Sequence, residues 1–207
     1  MTTFPLSRLL ARSFCLVLAL FALGCVKSAP TSYYLLDSGQ PPPQTGTLPD
    51  KMLRLGAVGL PEYLDRRDMV LRHDQSSQLE VAGLHQWAEP LDKGVHRVLR
   101  EVLTPRLAFG GYTLLSDSDA GEHTPILLVD ILRLDGDFNA NSSLSARWQL
   151  RDRLGVVLAQ GLFSAEQPSG PDFASLARSQ SLLVQRLGEY LANQLAAALQ
   201  IRSPRGR

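Results

Sequence analysis

The chain has 207 residues and a mass of 22.7 kDa, enough for one ordinary domain plus appendages. Hydrophobic residues make up 44% and charged residues 20%, so a packed core is attainable and global disorder is disfavoured. With 21 Lys+Arg against 20 Asp+Glu and only two Cys, the sums exclude a multi-span membrane protein, a zinc ribbon, a collagenous chain and a basic DNA binder.

Residues 1–24 read as a secretory signal to be excluded from fold reasoning. Arg8 and Arg12 form a positive start, and Ser13 to Leu23 form an apolar run. Eleven residues span only about 16 Å as a helix, against roughly 30 Å of bilayer core. Gly24-Cys25 ends the run as a bacterial lipobox does, with Ala22 in place of the usual Leu. The chemistry requires a thiol, because Cys25 becomes the diacylglyceryl attachment point and then the new N-terminus. Cleavage removes two of the 21 basic residues and no acid, leaving 19 basic against 20 acidic side chains. It also removes Cys15, so the mature chain cannot form an internal disulfide. Three acyl chains exceed the two signals that stable anchoring needs. Val26 and Lys27 follow Cys25. No Asp stands there to retain a Gram-negative lipoprotein at the inner membrane, which favours the periplasmic face of the outer membrane.

Ser32 to Asp37 (SYYLLD) is β-rich, and Gly39 to Asp50 holds four prolines, so it is expected to be an extended linker. The main domain is expected over 51–200. Met52 to Val58 alternates as a strand does, Asp68 to His73 is a second strand, and Leu79 to Trp87 is a third, interrupted at Gly83. Val95, Val98, Leu99, Val102, Leu103 and Leu107 then fall at helical spacing, giving a helix over 91–108 that Gly110-Gly111 ends. Tyr112 to Leu115 is a short strand and Asp117 to Thr124 a polar turn. Pro125 to Leu134 (PILLVDILRL) has the apolar, β-branched content of a central strand. Asp135 to Asn141 reads as a loop. Ser142 to Asp152 and Val156 to Ala165 make a hairpin about Arg153 to Gly155. Asp172 caps a long helix over 172–200, and Ile201 to Arg207 is a basic, fraying tail. The pattern is α/β: one layered domain with a mixed, partly antiparallel sheet and two main helices.

No catalytic constellation emerges, so the chain is expected not to be an enzyme. His73, His85, His96 and His123 have no metal-ligand spacing, so no metal is expected. Asp135, Asp137 and Asn139 open like a calcium loop, but Ala140 and Ala146 occupy the positions that need Gly and Glu. No nucleophile elbow or phosphate-binding glycine loop is present, and no cofactor is expected. Glu62, Asp65 and Asp68 sit amid Arg66, Arg67 and Arg72, which reads as solvated ion pairs. Two segments stand out, Leu60 to Arg72 and Trp87 to Arg97. Each sets an aromatic residue beside proline and mixed charge. Tyr, Trp and Arg are enriched at binding hot spots, whereas a core role for Tyr63 and Trp87 explains the same residues equally well.

S-Y-Y-L-L at Ser32 to Leu36, L-G-x-V-x-L-P-E-Y-L-D-R-x-x-M-V-x-R at Leu55 to Arg72, and W-A-E-P-L-x-x-x-V-x-R-V-L at Trp87 to Leu99 follow the lipobox in order. This series resembles the ABC-type transport auxiliary lipoprotein family over essentially the whole mature chain. The resemblance implies a three-layer α/β/α domain with a mixed sheet and a non-enzymatic lipoprotein of the Gram-negative periplasm. It implies partners in an MCE-domain protein and an ABC transporter permease/ATPase complex that moves lipids or other hydrophobic solutes between membranes. It also implies an outer-membrane anchor through Cys25, no nucleic acid, and a homo-oligomer to match ring-shaped MCE assemblies. Candidate partner-binding residues are Tyr63, Leu64, Asp65, Arg66, Arg72, Trp87, Glu89 and Pro90. The alternative is an envelope-assembly scaffold or chaperone lipoprotein with no transport role.

Overall fold

The computed structural model describes residues 29–39, 49, 51–73, 76–115 and 124–199. The signal segment, Cys25, most of the Pro-rich stretch, residues 117–123 with His123, and the tail 201–207 lie outside the described residues.

The strands are β1 (Ser32–Tyr34), β2 (Lys51–Gly59), β3 (Asp68–Leu71), β4 (Glu80–Trp87), β5 (Tyr112–Leu115), β6 (Ile126–Gly136), β7 (Asn141–Arg151) and β8 (Val157–Pro168). They form one mixed sheet. The apolar run read as a central strand is its axis. β6 pairs with β2 in parallel from Ile126 to Asp130, and with β3 at Gly136. Along its other edge it pairs with antiparallel β7, and β7 with β8. Thus β2 and β3 lie end to end against one side of β6. β5 extends the β2 end, while β4 and β1 extend the β3 end.

Helix α1 (Leu91–Phe109) and helix α2 (Phe173–Ala198) carry the two apolar stripes read in the sequence. Asp172 caps α2 as expected: its Oδ1 accepts from the Ser175 N–H at 2.8 Å, and Ser175 Oγ completes the capping box. The α/β class, the mixed sheet and the two main helices are as expected. α1 and α2 lie side by side, with Gly188 of α2 seated against Val102 of α1. Alternate β-residues explain why one face suffices. Leu127, Val129 and Ile131 of β6 and Leu144, Ala146, Trp148 and Leu150 of β7 are buried beneath the helices. Their neighbours Arg147, Gln149 and Arg151 occupy the other face with exposed Leu158 and Leu162 of β8.

Two further boundaries differ from the sequence reading. The compact unit begins at Thr31, earlier than the expected domain start at 51. β1 pairs with β4, Leu36 is fully buried, and its carbonyl accepts from Arg97 Nη2 at 2.6 Å. The expected loop over 135–141 is shorter. β6 runs through Gly136, and the turn is confined to 137–140, where Asn139 takes φ 53°. Asp135 therefore belongs to the strand and is fully buried. Strand β4 continues past Gly83, but its pairing with β3 shifts register there, from Met69–Ala82 to Asp68–Gln86.

Candidate functional site

The two segments singled out in the sequence meet through the backbone. The Trp87 N–H donates to the Arg67 carbonyl at 2.7 Å, and Arg67 Nη1 donates to the Ala88 carbonyl at 3.0 Å. In the Trp87 segment almost every residue has an internal task. Trp87 is buried in the core. Glu89 accepts from Arg97 Nη2 at 2.8 Å, and the same guanidinium holds Leu36 and reaches Glu101 at 3.3 Å. One arginine thus locks the chain's first strand, the β4 exit and α1 together. Pro90, exposed, precedes α1 at its N-cap, where a missing N–H costs no helix bond.

The Tyr63 segment is divided between anchors and presented charges. A short 3-10 turn, Glu62–Leu64, places Leu64 in the core and Tyr63 half-buried. The Tyr63 Oη donates to Asp135 Oδ2 at 3.1 Å. Burial, followed by the Asp135 charge, holds the phenol pKa above its ordinary value. Asp65 and Arg66, next in the chain, are exposed, and neither side chain has a partner among the described residues.

Asp135 is the centre of the polar structure at this end of the sheet. Arg72 Nε reaches its Oδ2 at 3.0 Å and Arg133 Nε its Oδ1 at 2.7 Å. Burial lowers the Arg72 pKa, but the hydrogen bond and charge of Asp135 together outweigh it, and the guanidinium is held above its ordinary value. Arg72 also lies over the Tyr63 ring, 6.0 Å from its centroid. The expected pairing of Arg72 with Glu62, Asp65 or Asp68 is replaced by this buried one, and Asp68 instead accepts from Gln86 at 2.7 Å. No calcium loop forms. Asp135 holds arginines, Asp137 faces His73, and Asn139 makes the turn. Among the described residues no cluster of His, Cys, Asp and Glu is arranged for a metal.

His73 bridges two carboxylates, with Nδ1 3.0 Å from Asp137 and Nε2 2.8 Å from Glu80. Only the imidazolium donates from both nitrogens. The hydrogen bond to Glu80, then that to Asp137, raises the His73 pKa above 6.5. A raised folded-state value stabilises the fold below the unfolded value of 6.5 and loses that contribution as pH rises through the folded one. His73→Gln is therefore expected to lower the melting temperature at about pH 5.5 and to leave it unchanged near about pH 9. A pH-independent difference between the two proteins would contradict the bridge.

Sequence reasoning singled out Tyr63, Arg72, Trp87 and Glu89 but missed Asp135, Arg133 and Arg97 as the groups that hold them. The available signal was a carboxylate closing the most apolar strand, flanked two residues earlier by an arginine. The geometry has counterparts in other proteins. The family model of the ABC-type transport auxiliary lipoprotein component matches residues 33–199. A crystal structure of an uncharacterized protein superposes with TM-score 0.68 at 21% identity, covering 81% of this chain and 99% of that one. A Xanthomonas campestris protein of the family model DUF330 superposes with TM-score 0.66 at 15% identity, covering 82% of this chain and 97% of that one. Among curated proteins none matches the sequence.

Proposed function

Because the chain belongs to the family of ABC-type transport auxiliary lipoprotein components, we propose that it serves an intermembrane transport system as a non-enzymatic docking module. In this reading Cys25 is acylated and anchors the domain to the periplasmic face of the outer membrane. The domain then joins an MCE-type tunnel, served by an ABC permease/ATPase complex, to that membrane. Lipids or other hydrophobic solutes are the cargo, and a homo-oligomer matches a ring-shaped tunnel.

The observation that supports docking best is the division of labour at Tyr63 to Arg66. Tyr63 is tied to a fully buried carboxylate and Leu64 is fixed in the core, while Asp65 and Arg66 project unpaired. A charged pair held rigidly by its neighbours loses little freedom on meeting a partner. The buried Trp87 and the internally paired Glu89 support the frame behind it.

The test is affinity purification from gently solubilised membranes, followed by mass spectrometry. The acylated protein is expected to recover an MCE protein, and Cys25→Ala to lose it. Reversing both charges, Asp65→Arg with Arg66→Glu, is expected to reduce recovery about tenfold through like-charge contacts. Stability should stay within about 0.5 kcal/mol, because both side chains are exposed. Recovery of secretion or cell-wall machinery without an MCE protein would replace transport with the scaffold reading.

A further inference from the structure

Beside the Asp135 cluster lies a cleft of about 370 Å³, lined by Arg72, Arg133, Asp137, Asn139, Asn141 and Ser169. Three features make it more than a surface dimple. First, two guanidinium groups share one carboxylate, so one positive charge is left over. Arg133 engages Asp135 through Nε alone, and Arg72 uses Nε and Nη1, the latter on the Ser76 carbonyl at 2.9 Å. Both Nη atoms of Arg133 and the Nη2 of Arg72 have no protein partner among the described residues. Second, Ser169 is 9% exposed, and its Oγ is a buried polar atom with no hydrogen-bond partner. Such a group costs free energy unless something accepts from it or donates to it. Third, the walls are fixed. Ser169 N–H donates to the Ala140 carbonyl at 2.8 Å and Asn139 N–H to the Gly170 carbonyl at 3.0 Å. Phe138 packs edge-on against Phe173 with centroids 4.9 Å apart.

The Asp137 carboxylate also lines the cleft, and its contacts lie elsewhere. Asp137 Oδ1 accepts from the Phe138 N–H at 2.8 Å and faces His73 Nδ1 at 3.0 Å, an imidazole it shares with Glu80, so its charge is answered in part outside the cleft. The donors that remain are two guanidinium heads and one hydroxyl. Three separate donors suit a tetrahedral anion with several oxygens better than a two-oxygen carboxylate, and guanidinium groups are well matched to phosphate oxygens. The volume is at the small end of ligand pockets, which span about 300–1,000 Å³. We infer that this cleft binds a phosphate group, carried by a lipid headgroup or present as free phosphate. The site does not depend on the docking reading. Arg72 here is a ligand-facing residue whose Nε is anchored by Asp135, and Arg133 is its counterpart.

The test is calorimetric titration of full-length acylated protein in neutral detergent. The probes are inorganic phosphate, dihexanoyl phosphatidylglycerol and, as a phosphate-free control, dihexanoylglycerol. Saturable binding of either phosphate-bearing probe is expected, with affinity lowered about tenfold or more in both Ser169→Ala and Arg133→Gln. Binding of both probes, in competition, identifies phosphate itself as sufficient. Binding of the phospholipid alone identifies the headgroup as the source. The melting temperature of ligand-free Ser169→Ala should be unchanged or raised, because a buried hydroxyl without a partner is removed. That variant decides the matter if Arg133→Gln fails to fold. Failure of both phosphate-bearing probes to bind would overturn the inference. So would equal binding of dihexanoylglycerol, or affinity that Ser169→Ala leaves unchanged.

Discussion

Asp135→Ala is expected to destabilise the domain by about 3–5 kcal/mol, the usual cost of removing one partner from a buried ion pair. For a domain of this size that lowers the melting temperature on the order of 10 °C. The carboxylate is fully buried and takes hydrogen bonds from Arg72, Arg133 and Tyr63. Its loss leaves two guanidinium groups repelling each other and a phenol without an acceptor. Tyr63→Phe should cost far less, about 1 kcal/mol, since one neutral donor is removed and the pairs survive. The informative comparison is a combined change of Asp135 to Leu with Arg72 and Arg133 to Met. If the single variant suffers chiefly from uncompensated charge, the triple variant recovers most of the loss, as buried ion triads replaced by apolar side chains can. Denaturant unfolding of all three proteins measures this. An Asp135→Ala variant within about 1 kcal/mol of the parent would mean that the arginines simply swing into water.

The consequence for the proposed function follows from position. Tyr63 fixes the turn that presents Asp65 and Arg66, and Arg72 walls the phosphate cleft, so Asp135 supports both. Its substitution should therefore weaken partner recovery and anion binding together. The Asp65/Arg66 reversal should affect the first alone, and Ser169→Ala the second alone.

What the sequence made legible was local. The strand alternation of β7, the helical stripe of α1 and the cap at Asp172 each rest on neighbours within a turn or two, and each was found where expected. What it concealed was set by distant segments. Asp135 reads as a loop residue because Asp, Gly and Asn follow it. Pairing with Ser143 of β7 extends the strand, and Tyr63 and Arg72 arrive from more than sixty positions away to neutralise it. Leu36 reads as part of a short β-rich segment set apart from the main domain by a linker, since nothing nearby shows that Arg97 will hold its carbonyl. The apolar stripes say that each helix has a buried face but not which strands it covers. The candidate residues divided along the same line. Trp87, left undecided between core and binding surface, lies in the core, at the end of β4 where it pairs with Tyr34 of β1. Asp65 and Arg66, read in the sequence as members of solvated ion pairs and as candidate partner-binding residues, are the ones presented outward.

The second large effect is expected where the helices touch. A glycine inside an exposed helix ordinarily gives up about 1 kcal/mol relative to alanine, so Gly188→Ala would stabilise an isolated α2. In the folded protein a Cβ there would stand 2.8 Å from Val102 Cγ1, 3.0 Å from Val102 Cβ and 3.6 Å from Leu99 Cδ2. Val102 is branched at Cβ and stiff in a helix, so it cannot rotate aside. The helices must separate, and α1 in turn packs on β2 and β5, with Val95, Leu99 and Leu103 buried in the core. Overpacking of this kind costs about 1–3 kcal/mol and more for longer side chains. Gly188→Ala should therefore be destabilising by about 1 kcal/mol after the helix gain is counted, and Gly188→Leu by about 3 kcal/mol or more. The decisive measurement is a double-mutant cycle by urea unfolding. In a Val102→Ala background the 2.8 Å contact with Cγ1 is gone and only the 3.0 Å approach to Cβ remains, so Gly188→Ala should cost clearly less or become neutral, a coupling of about 1 kcal/mol. Additive single effects would place the cost of Gly188→Ala somewhere other than this contact, and the close approach of the helices would then not be what requires a glycine.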